Sequence, residues 1–279
     1  MADDAAIKTY RYLRIGMVGA VFALLVSIGI ERADVGCWQT SISAYYYTPV
    51  RAVFVGSLMA IGLSLIVIEG STVWEDAFLN LAGMLAPVVA IVPTTTVGTC
   101  RSVEPASRPT ENGAMATWVV ENVDNNIKTL LIAGIAGLVI AAIIATIAAR
   151  DLRAIARVGE FGTRLGLLGT MVFLVAGSLA FRYWDGFYEH AHLVAAFGMF
   201  GALAFAIASN AWQRRGSSTG RWYFWIYAGT ALLMVASVAV MYPLDSRWTH
   251  MVLLLEATEI GLFAAFWLVQ TKEHWNETV

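Results

Sequence analysis

Apolar stretches long enough to cross a lipid bilayer make up most of this chain. A membrane-spanning helix needs roughly 20 predominantly apolar residues, and about 17 remain within range. The sequence contains eight such stretches, with approximate bounds Tyr12–Ile30, Ala52–Ile68, Ala77–Thr94, Ile127–Ala149, Leu165–Phe181, His192–Trp212, Trp222–Met241 and Met251–Gln270. We therefore predict an all-α protein, a polytopic bundle of eight transmembrane helices in one domain over residues 1–279.

The composition agrees with a surface that faces lipid. Hydrophobic residues make up 58% of the chain and charged residues only 14%, whereas a soluble domain carries about 25% charged residues. The formal net charge is −2, and the sequence has no basic stripe. A nucleic-acid partner is therefore excluded.

Basic residues concentrate in connections that share one side of an eight-crossing bundle. They are Lys8, Arg11 and Arg14 in the first helix, Arg150, Arg153, Arg157 and Arg164 between the fourth and fifth, and Arg214, Arg215 and Arg221 between the sixth and seventh. The positive-inside rule assigns such connections to the cytoplasm. We predict a multi-pass plasma-membrane protein with both termini cytoplasmic and long outer loops at 31–51 and 95–126.

The two cysteines of the chain fall in these two loops. Cys37 lies in the first loop and Cys100 in the second. Disulfide bonds persist outside the cytoplasm, so we predict a bridge between them. The alternative is two free thiols that share a side by chance.

Two carboxylates in the last helix are the strongest functional candidates. Glu256 and Glu259 are three residues apart and therefore share one helix face. Acids inside a bilayer are expensive, so this face should point into the bundle, where one acid holds a proton or a cation neutralises the pair. We predict catalytic acid/base or ligand roles for both. The alternative is a structural, hydrogen-bonded acid.

Histidines near the outer helix ends are candidate metal ligands. They are His190, His192 and His250. His190 and His250 each end an Asp-x4-His turn, at Asp185 and Asp245, and these similar turns predict that the histidines and the two glutamates converge on one pocket. Zinc is then a candidate cofactor, whereas interfacial polar caps are the alternative.

Other ionisable residues at the same side complete the predicted polar cavity. The candidate ligand-binding residues are Tyr46, Arg51, Lys128, Arg182, Asp185 and Glu189. The three cations would serve as counter-charges to the acids. Tyr46 belongs to a run of three tyrosines, and interfacial anchoring is the alternative role of that run.

Several segments carry a resemblance to known membrane proteins. These segments are Ser41–Tyr47 (SISAYYY), Phe181–His192 (FRYWDGFYEHAH), Leu255–Glu259 (LEATE) and Trp267–Thr271 (WLVQT). In them the chain resembles uncharacterised polytopic membrane proteins of actinobacteria, which implies a plasma-membrane location. It is more remotely similar to the ceramidase, adiponectin-receptor and Per1-like membrane hydrolases, and that similarity implies a zinc held by three histidines. The chain has neither a late His-x3-His nor an early Ser-x3-His.

These features predict a protein that binds or processes a lipid or small amphiphile at an outward-facing polar site. The partners would be membrane lipid and a small amphiphile or ion. A proton-coupled transporter in which the glutamates carry the proton, and a non-catalytic accessory subunit, are the alternatives. A homo-oligomer and a larger membrane complex both stay open.

Overall fold

The computed structural model describes residues 2–95, 100, 103, 115–151, 160–216 and 221–275. Within these ranges the all-α prediction is confirmed, with eight α-helices and no strand. The helices are α1 (Ala2–Val35), α2 (Arg51–Val67), α3 (Val73–Ile91), α4 (Thr117–Asp151), α5 (Glu160–Tyr183), α6 (Phe187–Arg214), α7 (Arg221–Met241) and α8 (Met251–Glu273). Two 3₁₀ helices, Ser43–Tyr47 and Tyr242–Arg247, lie in connections. Arg153 and Arg157, two of the basic residues assigned to the cytoplasmic side, lie outside the described residues.

Length and composition make this chain a membrane protein. Among the described residues, six helices are long and apolar enough to cross a bilayer, namely α1, α3, α4, α6, α7 and α8. The two further apolar helices, Arg51–Val67 and Leu168–Tyr183, are shorter, in the range of 10–17 residues. Apolar side chains such as Ile132, Ile144 and Val172 are more than half exposed on the surface of the bundle, as expected for a surface that contacts lipid.

Contacts between helix termini define two ends of the bundle. At one end, which we call the Arg14 end, α1 begins beside the last turn of α8, because Arg11 contacts the backbone carbonyl of Trp275. At the other, the Cys37 end, α1 leads into the connection that contacts the start of α8, where the ring of His250 donates to the carbonyl of Gln39. Both termini of the described chain therefore lie at the Arg14 end.

Helix α3 is central and packs closely against α2. A Cβ atom at Gly62 would lie 2.8 Å from the carbonyl oxygen of Gly83, and one at Gly83 would lie 2.6 Å from the carbonyl oxygen of Gly62. No side chain fits at either position without displacing backbone. Small residues at such contacts are how helices approach closely in a bilayer, where packing replaces the hydrophobic effect as the driving force.

Cys37 and Cys100 lie at disulfide-bonding distance, as predicted. Their sulfur atoms are 2.14 Å apart and their Cα atoms 6.1 Å apart. Cα separations of this size are usual for disulfides. The bridge ties the end of α1 to the connection between α3 and α4 at the Cys37 end.

A buried polar cluster joins three helices at the Arg14 end. The amide of Asn210 on α6 donates to Glu75 on α3 at 2.6 Å, and the amide of Gln270 on α8 donates to the side-chain oxygen of Asn210 at 3.2 Å. Gln270 also reaches the same Glu75 oxygen at 3.4 Å. Asn210 and Gln270 are therefore members of one hydrogen-bonded cluster rather than isolated polar residues. Their partner Glu75 comes from a distant part of the sequence, and the three together hold α3, α6 and α8 in register.

We predict that Asn210→Ala destabilises the bundle. The substitution removes the closest donor to a buried carboxyl group, which costs about 1–3 kcal/mol when a buried polar group loses its partner. The matched control is Asn80→Ala, which removes a half-buried amide that donates to Asp76 at 3.1 Å on the same helix. Reversible unfolding in mixed micelles measures both. Equal losses of stability in the two variants would contradict a linking role for the cluster.

Candidate functional site

The segment Gln39–Ser43 lies along the first two turns of α8 at the Cys37 end. His250 donates to the carbonyl of Gln39 at 3.1 Å, and the backbone N–H of Leu253 donates to the carbonyl of Thr40 at 3.0 Å. One turn further along, Glu256 accepts from the segment. The contacts recur every three residues of α8 because that spacing keeps side chains and free N–H groups on one face.

Glu256 attaches this segment to the helix. One carboxylate oxygen accepts the backbone N–H groups of Ile42 at 2.5 Å and Ser43 at 3.2 Å, and the other accepts the Ser43 hydroxyl at 2.7 Å. Both carboxylate oxygens are therefore occupied by hydrogen-bond donors at the start of the 3₁₀ helix Ser43–Tyr47. The predicted acid/base role of Glu256 is not tested by this geometry, which gives the residue an anchoring contact.

A cavity of about 590 Å³ lies between α6, α7 and α8 at the Cys37 end. Its wall is mainly apolar, and the α6 face that lines it carries residues at helical spacing, including Ala196, Phe197, Phe200, Gly201 and Ala204. The small residues on this face leave the space that larger side chains would fill. Ligand sites of drug-sized molecules commonly occupy about 300–1,000 Å³ and are lined in this way.

The cavity reaches the lateral surface of the bundle. Three of its lining residues are substantially exposed apolar side chains, Leu193 and Phe197 on α6 and Val235 on α7. The ring of Phe197 packs edge-to-face on Tyr242, with ring centroids 5.1 Å apart, and Tyr242 also lines the cavity. These rings lie at the junction between the end of α7 and the 3₁₀ helix Tyr242–Arg247.

Three carboxyl groups line this cavity, two of them the glutamates singled out in the sequence. Glu256 and Glu259 come from α8, and Glu189 comes from the first turn of α6. Glu259 is 1% exposed, and one of its oxygens lies 2.5 Å from the Ser237 hydroxyl on α7. Its other oxygen is buried without a hydrogen-bond partner among the described residues.

The predicted convergence of the histidines is only partly observed. His192 is buried and lines the cavity, where its Nδ1 donates to the carbonyl of Val92 at 2.6 Å. His190 is exposed and its Nδ1 donates to the carbonyl of Gly186 at 3.1 Å. His250 contacts Gln39 instead. Each ring therefore uses Nδ1 on a different backbone carbonyl.

The expected three-histidine zinc site is not assembled. In the described part of the chain, no three His, Cys, Asp or Glu side chains come together in an arrangement that could hold a metal ion. The reason is geometric. His190 and His192 lie close in sequence but project from α6 in different directions, and His250 points toward the segment Gln39–Ser43.

The three cations expected as counter-charges also lie apart from the cavity. Arg51 donates to the Tyr46 hydroxyl at 2.7 Å, Lys128 pairs with Asp124 at 2.5 Å, and Arg182 lies over the Tyr183 ring at 5.5 Å. These contacts correct the expectation that one cavity collects all the ionisable residues. Asp185, another candidate, is exposed in the turn between α5 and α6 and does not line the cavity.

The tyrosine run is buried rather than exposed at the membrane interface. Tyr45 and Tyr46 are each 1% exposed, and the hydroxyl of Tyr47 donates to the carbonyl of Thr94 at 2.8 Å. Burial raises the pKa of all three phenols, although Arg51 opposes this at Tyr46 and Tyr47. They therefore stay neutral and act as hydrogen-bonding core residues. Tyr46 lines a separate surface pocket with Arg51.

Sequence reasoning missed Ser237 and the apolar wall of the cavity. A serine three residues after Met234 normally satisfies a backbone carbonyl of its own helix, and Ser237 does contact Met234 at 2.9 Å. Nothing in the local sequence marks its second contact, with Glu259. The small residues Ala196, Gly201 and Ala204, at spacings of five and three on one helix, are the signal that was available.

In comparisons with protein-family models, curated protein sequences and solved structures, nothing matches this chain. Its geometry is therefore the basis for assigning a function.

We predict that Glu256→Gln loosens the segment Gln39–Ser43. Glutamine has a single acceptor oxygen and presents an NH₂ donor to backbone N–H groups, so charge-assisted hydrogen bonds worth about 1.5–3 kcal/mol are lost. Hydrogen exchange should then accelerate at least about tenfold at the amides of Ile42 and Ser43. Glu259→Gln is the matched control, because Glu259 does not contact this segment. Unchanged exchange in Glu256→Gln would refute the anchoring role.

Proposed function

We propose that this protein is a multi-pass plasma-membrane protein that binds a small amphiphile from the outer leaflet in the cavity between α6, α7 and α8. The Cys37 end then faces outward and both termini are cytoplasmic. The observation that carries this proposal is the cavity itself, which combines an apolar wall, a lateral border of exposed apolar side chains and three carboxyl groups.

The arrangement of polar and apolar groups supports an amphiphile over a wholly polar solute. Glu189 lies in the first turn of α6 at the Cys37 end and is exposed, with Thr40 and Ser41 of the anchored segment beside the same cavity. Beyond Phe197, the α6 lining changes to Phe200, Gly201 and Ala204. A ligand with a polar head at the Glu189 level and an apolar chain directed into the bundle matches this gradient.

The lateral border supports entry from the bilayer. Leu193, Phe197 and Val235 are exposed within helices that are long and apolar enough to span a membrane. In a bilayer these side chains would contact acyl chains. An amphiphile reaching the cavity between these side chains keeps its chain in an apolar medium throughout. The alternative path, through water, would expose that chain at a cost of about 0.8 kcal/mol per CH₂ group.

We predict that Gly201→Leu blocks binding. A Cβ atom at Gly201 meets no heavy atom within 4 Å, so a leucine side chain has space to begin there and would occupy volume of the cavity that Gly201 lines. The affinity for an uncharged, pyrene-labelled single-chain amphiphile, measured by fluorescence in nanodiscs, should fall at least about tenfold, which corresponds to 1.4 kcal/mol. Gly137→Leu is the control, because Gly137 is exposed on α4 and also has open space. Equal affinities in the two variants would contradict the assignment of the cavity.

A second candidate function is proton-coupled transport, favoured by the unpartnered oxygen of Glu259. Ser237 has one hydroxyl hydrogen and lies within hydrogen-bonding distance of both the Met234 carbonyl and Glu259. A proton on Glu259 would complete this arrangement, so gain and loss of that proton could accompany ligand movement.

The two candidates differ in the proton movement that they predict. With binding alone, reconstituted vesicles exposed to the pyrene-labelled amphiphile should show no internal acidification above that of protein-free vesicles. Acidification that is lost in Glu259→Gln and retained in Glu121→Gln, a variant with the same charge change on exposed α4, would support the transporter instead.

A further inference from the structure

We propose that the amphiphile bound in the α6–α7–α8 cavity carries a positively charged ammonium headgroup. This inference rests on the proposed binding function and identifies its ligand class. The observation that carries it is the sign of the charge in the cavity. Glu189, Glu256 and Glu259 line it, and no Lys or Arg does among the residues that the structure describes.

Three cations at the same end of the bundle contact other groups. The guanidinium of Arg51 lies 4.3 Å from the Tyr46 ring centre and 5.1 Å from that of Trp118, and Lys128 is paired with Asp124. Arg32 lies over Trp38 at 5.5 Å. None of these side chains lines the cavity, and neither Arg182 nor Arg247 does. The ring of His190 lies 4.0 Å from Glu189, but its Nδ1 donates to the carbonyl of Gly186 and it does not line the cavity either.

His192 is the remaining basic side chain at the cavity. It is the one histidine that lines the cavity within the described residues, and it is buried with its Nδ1 used on the carbonyl of Val92. The backbone carbonyl can only accept, so the ring proton is on Nδ1. In the neutral ring, Nε2 is then an acceptor. In that form the ring carries no positive charge to set against the carboxyl groups.

Glu256 and Glu259 accept hydrogen bonds from neutral groups, so these bonds supply no positive charge and an external cation can still interact with both. Glu256 receives three donors, all of them neutral groups from Ile42 and Ser43. Glu259 receives the neutral Ser237 hydroxyl and has an oxygen without a partner among the described residues. A cation in an apolar cavity interacts with such groups more strongly than it would in water, because the effective dielectric constant is lower.

Aromatic rings at the lateral border fit the same headgroup. Phe197 and Tyr242 pack edge-to-face and both line the cavity. The face of an aromatic ring attracts an ammonium group through its negative quadrupole, and cages of rings recognise quaternary ammonium in this way. Carboxyl groups and aromatic rings together therefore favour an ammonium over a neutral or anionic head. The volume of about 590 Å³ is that of a drug-sized ligand, which favours a single acyl chain.

The test compares three headgroups on one chain length. Dodecyltrimethylammonium, dodecyldimethylamine oxide and dodecyl sulfate, each below its micellar concentration, compete with the pyrene-labelled probe for the protein in nanodiscs. Gly201→Leu nanodiscs report partition into lipid. We expect the ammonium compound to compete at least about tenfold more strongly than the amine oxide, with the sulfate weakest.

Variants of the lining carboxyl groups test whether the preference for the ammonium headgroup comes from the cavity. Glu189→Gln changes an exposed side chain, and Glu259→Gln keeps an acceptor for Ser237, so both should fold. Each should reduce the preference for ammonium several-fold, whereas Glu121→Gln should leave it unchanged. Equal competition by the three compounds, or a preference for the sulfate, would overturn the ammonium proposal and leave the amphiphile site in place. Absence of any binding that depends on Gly201 would overturn the site and the ammonium proposal together.

Discussion

The structure depends on the high free-energy cost of unsatisfied polar groups inside a bilayer. Inside the hydrocarbon region there is no water to satisfy a buried donor or acceptor, so each polar side chain must find a protein partner or remain costly. Among the described residues, two layers of buried polar contacts join the helices. Glu75, Asn210 and Gln270 join α3, α6 and α8 at the Arg14 end, and Glu256 joins α8 to the segment Gln39–Ser43 at the Cys37 end.

The cavity lies on one side of these two fixed layers. Between them, α8 presents Phe263, Phe266 and Trp267, each no more than 3% exposed, which close the interior toward the Arg14 end. Toward the Cys37 end the same helix presents Glu256 and Glu259 to a space bounded by small residues of α6. The cavity is closed by tightly packed side chains toward the Arg14 end and bordered laterally by lipid-facing side chains. It is therefore suited to a ligand that arrives from the membrane. Glu259 lines this space and has one buried oxygen without a hydrogen-bond partner among the described residues.

Local patterns were sufficient to predict the helices and the shared face of the two glutamates. Apolar length predicted an all-α bundle, and the loop positions of Cys37 and Cys100 predicted a pair now found at disulfide distance. The contacts of Glu75 could not be predicted in this way. Its spacing from Thr72 is that of a helix capping box, and Ser71 does donate to it at 2.8 Å, so local structure explained the residue without its distant partners.

Side-chain direction accounts for the expectations that failed. His190, His192 and His250 lie at the same end of the bundle, but placement at one end does not make side chains converge. His190 is directed along the exposed side of its own first turn, whereas His192 faces α3. The same holds for Arg51, Lys128 and Arg182, which contact aromatic or acidic partners away from the cavity. Their absence from the cavity is what gives it a single sign of charge.

Photolabelling measures most directly whether the cavity between α6, α7 and α8 takes an amphiphile. The protein in nanodiscs would be irradiated with a single-chain amphiphile that carries a diazirine near the end of its chain, and the labelled residues located by mass spectrometry. Labels concentrated on residues 196–204 of α6 and 234–239 of α7, and lost in Gly201→Leu, are the expected result. Labels distributed over the lipid-facing surface of α4, with no enrichment at the cavity and no effect of Gly201→Leu, would contradict it.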